Sequence, residues 1–131
     1  MSSIDILRQF KDGLTAFLDE LIHQLPQEGE LVIYRIFVKD KVPISHIMRF
    51  FAANILPYKQ MVKDHNDDFF LNHCRLFEQP EFQGSSNQAQ VNKFKRIWLS
   101  DALDDDDREV VWEWFESFIY LAERYMKSLI V

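Results

Sequence analysis

The residues best equipped for chemistry lie between His65 and Cys74, where His65-Asn-Asp-Asp-Phe-Phe-Leu-Asn-His73-Cys74 contains every common metal-ligand type. Transition-metal sites on a helix need ligands three or four residues apart, on one face. Only His65 with Asp68 meets that spacing, and His73 is displaced around the cylinder. The stretch therefore reads as ordinary polar and half-buried residues. Cys74 reads as a small buried apolar residue, because the adjacent His73 cannot fold back onto it as a base. An enzyme assembled from the scattered His46, His65, Asp67 and Asp68 is an alternative that no spacing supports. The chain is read as non-enzymatic, with no catalytic, cofactor-binding or metal-binding residue assigned.

The run Asp104 to Asp107 offers clustered carboxylates of the kind calcium favours. An EF-hand loop counted from Asp104 would put Glu109 where Gly is required and Phe115 where Glu is required, so that motif is excluded. The run reads instead as a helix start, with Asp104 capping and Asp105, Asp106 and Asp107 near the positive end of the dipole. An acidic docking patch is compatible with that role. Between residues 101 and 116 eight acidic side chains stand against Arg108 alone, which makes −7; from a total of −6, the rest of the chain carries +1. The acidity is one local block.

Lys93, Lys95 and Arg96 interleave with Phe94 and Trp98, and aromatics among cations can stack and hold single-stranded nucleic acid. Those aromatics fall at core spacing, and the acidic block follows closely, so nucleic-acid binding is disfavoured. A contact between the Lys93 and Arg96 patch of one copy and the aspartates of another would instead build head-to-tail assemblies. The three glycines stand apart at 13, 29 and 84, which excludes a phosphate-cradling loop.

Few long helices must carry these residues. With three Gly and four Pro in 131 residues, the chain lacks the turn formers that a many-stranded sheet requires. Ser2 or Ser3 caps a first helix with Asp5 in capping-box spacing. Leu7, Phe10, Leu14, Phe17, Leu21 and Leu25 then form an apolar stripe that ends at Pro26 and Gly29. Gly13, costly inside a helix, lies close to the face of Phe10 and Phe17 and suits a close approach by a neighbouring helix. Leu31 to Val38 has strand-like content but no second strand to pair with, and reads as a short buried helix. Pro43 suits the start of a third helix, and Pro57 kinks it or begins a fourth. Phe69, Phe70, Leu71, Leu76 and Phe77 return to the core, and residues 79–87 form the one convincing loop. Ser86 or Asn87 caps a helix through Val91, Phe94, Ile97 and Trp98.

The last and longest helix, about Asp104 to Ser128, carries two adjacent apolar stripes. One runs Val111, Trp114, Phe118, Leu121, Tyr125; the other runs Trp112, Phe115, Ile119, Ala122, Met126, Leu129. An arc that wide either packs centrally or shares its face with another chain. The expectation is a single all-α domain over residues 1–131, a compact bundle of about five to six helices with a long C-terminal aromatic-rich helix. Aromatics at 15% supply its large side chains.

One cysteine excludes an internal disulfide, and no apolar run approaches a membrane span. Without a leader the chain is expected inside a cell, in host cytoplasm or nucleus, or in a virion, and not secreted. The segments FLDELIHQLP, LVIYRIFVKDKVPISHIMRFF, ILPYKQMVKDHNDDFFL and VNKFKRIWLSDALDDDDREVVWEWFESFIYLAERY, taken in order, resemble a group of small uncharacterised helical proteins of large double-stranded DNA viruses. That resemblance spans roughly residues 10 to 126 and implies an all-α fold and a viral origin. It implies no catalytic or binding residue.

The function expected is that of a non-enzymatic interaction or structural protein, self-associating or docked on a protein partner as a virion component or host-directed factor. Trp112, Trp114, Phe115 and Phe118 would be its anchors, because buried aromatics dominate interfaces. The alternative within the binding class is an acidic nucleic-acid mimic that uses Asp101 to Glu116 to occupy the basic groove of a DNA-binding protein.

Overall fold

Ser2 opens the first helix as expected: its hydroxyl accepts the backbone N–H of Asp5 at 3.2 Å and closes α1, Ser3–Gln24. The computed structural model describes residues 2–76 and 93–130; the expected loop at 79–87, with Phe77, Ser86, Asn87 and Val91, lies outside them. The stripe on α1 buries Phe10, Leu14, Phe17 and Leu21, joined by Ile6 and Leu18. Leu25 is buried at the helix end.

Residues 31–38 are helical. They form α2, Glu30–Ile36, which runs into a π-helical turn, Phe37–Lys41. Leu31, Tyr34 and Val38 recur three and four residues apart and are the buried positions. Val32, Ile33 and Ile36 lie on the other side and are exposed. Tertiary position has overridden the strand-like propensity of this segment.

Helix α3, Ile44–Asn54, begins directly after Pro43 and buries Ile47, Met48 and Phe51. Pro57 sits in a 3-10 turn, Leu56–Tyr58, that leads into the short α4, Lys59–Lys63. A second π-helical turn, Phe69–His73, buries Phe69 and Phe70. Helices α5, Lys93–Trp98, and α6, Asp105–Ser128, complete the order. Among the described residues there is no strand. Counting the π and 3-10 turns, the chain divides into more helical pieces than the five to six expected, because Pro57 and the π turns split what periodicity alone joins.

The 24-residue α6 packs centrally. Phe10 meets Phe118, Phe17 meets Phe115 and Phe118, and Glu20 reaches Trp114, so α1 and α6 run antiparallel. Gly13 marks their closest approach: a Cβ there would stand 3.2 Å from Cε1 of Phe118. Phe115, fully buried, is met edge-on by Phe17, Phe69, Phe70 and Phe94 at centroid separations of 5.7, 5.7, 5.1 and 5.5 Å. Four rings from three elements thus converge on one ring, in the edge-to-face geometry that the aromatic quadrupole favours.

Candidate functional site

The aspartate run is first a helix start. Asp104 has extended backbone and accepts the N–H of Asp107 at 2.8 Å, while Asp107 accepts the N–H of Asp104 at 3.0 Å. This reciprocal box satisfies donors that the first turn of a helix otherwise leaves open. Asp105 lies 3.7 Å from Arg108, and Asp106 is exposed. Arg108 also donates to the carbonyls of Trp98 and Ser100 at 3.2 and 3.4 Å, tying the end of α5 to the start of α6.

The expected anchors separate. Of the residues expected as partner anchors, Trp112, Phe115 and Phe118 are buried in the protomer. The wide apolar arc has its occupants within the chain: α1, α3, the Phe69–His73 turn and α5. Only Trp114 reaches solvent, half-buried, with its Nε1–H donating to Glu20 at 2.7 Å. Arg96 donates to Glu28 at 3.3 Å, so the head-to-tail contact expected of it competes with a pair inside the chain. Lys93 begins α5, and its side chain lies outside the described residues.

The polar cluster around residue 65 is a clamp. His65 has φ of 50°, a left-handed conformation that His tolerates better than β-branched or bulky residues do. Its ring stacks on Trp112 at 5.1 Å, its Nε2 lies 2.7 Å from Glu116, and its Nδ1 lies 3.6 Å from Glu109. His73 stacks on Tyr58 at 4.6 Å and meets Asp68 at 3.1 Å. His65 and Asp68 thus turn to different partners despite their shared spacing, while His46 and Asp67 are exposed on separate segments. Among the described residues no three His, Cys, Asp or Glu side chains are placed to hold a metal ion. Cys74 is half-buried and packs against the core.

What sequence reasoning missed is a groove between the second half of α1 and the start of α6. It encloses about 450 Å³, with Phe17, Leu21, Leu103 and Val111 as its apolar floor. Glu20 and Val110 are shared with an adjoining recess of about 300 Å³ that Glu113, Trp114 and Ser117 complete. Four carboxylates border the pair of recesses: Asp19 and Glu20 from α1, and Asp107 and Glu113 from α6. Among the described residues their lining contains no Lys or Arg, His23 is its one basic-type side chain, and Asp19 is paired with Arg35 of α2. At about 100° per residue, Asp106, Glu109, Glu113 and Glu116 fall within about 80° of one another. All four are exposed; Glu113 borders the groove, while Glu109 and Glu116 face His65. The sequence signal was Val110, an apolar residue belonging to neither stripe of α6.

Comparison with protein-family models, curated proteins and solved structures finds no match to this chain. Among the described residues no helix is long and apolar enough to cross a membrane.

Proposed function

We propose that the chain is a non-enzymatic protein-interaction domain whose working surface is the groove between α1 and α6. One observation carries this reading: the exposed Val110 and the half-buried Trp114 border the two recesses between α1 and α6, although the rest of the aromatic surface is consumed by the core. Open apolar clefts with a few placed polar groups are where proteins take ligands and helices. The resemblance to viral helical proteins supports a role as a virion component or host-directed factor, inside a cell or particle.

The test is a titration of the isotope-labelled full chain with a synthetic amphipathic helical peptide of Leu and Gln, followed by amide and indole chemical shifts. The expected changes centre on Leu21, Val110, Val111 and Trp114, and Val110→Gln weakens them. If amphipathic peptides of every charge leave these signals still, the groove is not a docking surface.

Self-association is a second reading, supported by Val32, Ile33 and Ile36, which are 46%, 51% and 44% exposed on one side of α2. Sedimentation at high micromolar concentration should then show an oligomer that Ile33→Lys dissolves. A strict monomer rejects it.

A further inference from the structure

We infer that His65 is a proton-operated latch: as an imidazolium it ties the segment from Lys59 to His73 onto α6, and that tie loosens when the proton leaves. Two independent features meet at this residue.

The first is a backbone conformation that costs energy. The N–H of Asn66 donates to the carbonyl of Met61 at 2.9 Å, and that of His65 to the carbonyl of Val62 at 3.0 Å. These are the paired bonds of a Schellman ending to α4. His65 fills its left-handed position, with φ of 50°, where glycine is the usual occupant. A side chain kept there against backbone preference points to a task for the side chain.

The second is what the ring faces. Nε2 lies 2.7 Å from Glu116 and Nδ1 lies 3.6 Å from Glu109, both on α6. A carboxylate only accepts, whereas a neutral imidazole has one N–H and one lone pair. Whichever tautomer it takes, the neutral ring turns that lone pair towards one of the two carboxylates. The imidazolium presents an N–H to each. Its charge also lies over Trp112, with the two rings parallel to within 2°.

The other charges in reach have their own settings. Lys63, Asp64 and Asp67 of the same turn are exposed, and Asp68 is turned to His73. Arg108, next to Glu109, is directed to Trp98, Ser100 and Asp105, and α5 meets Trp112 with the uncharged Trp98. At the far end of the segment Lys59 pairs with Glu123 at 3.2 Å, and neither group titrates near neutral pH. Histidine does.

The imidazolium makes both contacts only when the segment is docked. The hold is therefore complete while the ring is charged and both glutamates are ionised, and it declines as rising pH removes the ring's proton. Val62, Phe69 and Phe70 stay buried throughout, so the proton sets how often the segment opens and leaves the fold in place.

Native-state hydrogen exchange of the full chain, read as protection factors, compares amides of residues 61–71 with those of α1. From about pH 5.5 to about pH 8 the segment's protection should fall roughly fivefold relative to α1, since part-exposed pairs each contribute modestly. His65→Gln keeps a donor for Glu116 without a titrating charge and should abolish that dependence. Glu109→Gln with Glu116→Gln should abolish it with the ring intact, and decides the matter if His65→Gln fails to fold. His73→Gln should leave it unchanged. Equal relative protection at both pH values overturns the inference, as does a dependence that survives in either the His65 or the double glutamate variant. Loss of the dependence in His73→Gln also overturns it, in favour of the His73–Asp68 pair.

Discussion

Replacing Gly13 with Ala sets two effects of similar size against each other. Ala is favoured over Gly in a helix interior by about 1 kcal/mol, so on propensity alone the substitution stabilises α1. The new methyl, however, would lie 3.2 Å from Cε1 of Phe118 and 3.8 Å from Cζ3 of Trp114. Phe118 has nowhere to retreat. It is fully buried and ringed by Phe10, Phe17, Phe51, Trp114 and Phe115 at centroid separations of 5.7, 5.7, 6.1, 5.9 and 5.8 Å. Overpacking of this kind costs about 1–3 kcal/mol. Gly13→Ala should therefore be net destabilising, by about 1 kcal/mol. In a Phe118→Leu background the steric cost falls away and the same change should become stabilising, giving a coupling near 2 kcal/mol, well inside the range for residues in contact. Urea unfolding of the four proteins of this cycle, followed by helical circular dichroism, measures every term. Should Gly13→Ala stabilise the chain by the full propensity gain in both backgrounds, Gly13 is not a contact point between α1 and α6.

Three further outcomes follow from named contacts. Phe115→Ala removes the ring on which three other elements converge and should cost about 3–5 kcal/mol in chemical denaturation, a large share of a typical domain's stability; a loss below 1 kcal/mol would mean the cluster is not the centre of the core. The Tyr34 hydroxyl is pushed from 10.0 up to about 12, chiefly by burial and then by Glu30, which accepts its proton at 3.4 Å. The folded state therefore holds that proton more tightly than the unfolded state: the stabilisation is complete below pH 10 and is lost as pH rises through 12, on the order of 2 kcal/mol in all. Tyr34→Phe should flatten that part of the stability profile, and an unchanged alkaline slope would place the titration elsewhere. At His65, Ala and Gly both lose the Trp112 stack and the Glu116 contact, but only Ala keeps the cost of the left-handed backbone; thermal melts should find Ala lower by about 1 kcal/mol, and equal melts would show that the positive φ stores no strain.

Local rules reached far into this fold. The Ser2 cap, the buried stripe of α1, the breaks at Pro26, Pro43 and Pro57, and the Asp104 cap of α6 each follow from residue type and spacing. Gly13 as a place of close approach was legible too, because a glycine between Phe10 and Phe17 has a cost that packing must offset. Periodicity could not say what covers an apolar arc. Trp112 and Trp114 differ by two positions, yet one faces His65 and Trp98 indoors while the other borders the groove. That difference depends on where α5 and the His65 turn come to rest, a long-range matter. Glu20 was hidden for the same reason: on α1 it is one more hydrophilic residue, and only its partner 94 positions away makes it part of a site.

The long final helix has an inner side that holds the protein together and an outer side that borders the cleft. A guest laid against it would therefore press on a helix whose inner side is already packed into the core, with little freedom left to surrender. Recognition there would favour a visitor whose shape is already right over one that must be moulded. Substitutions that retune the outer side could accumulate without touching the rings beneath, so one scaffold could change clients while its architecture stayed fixed.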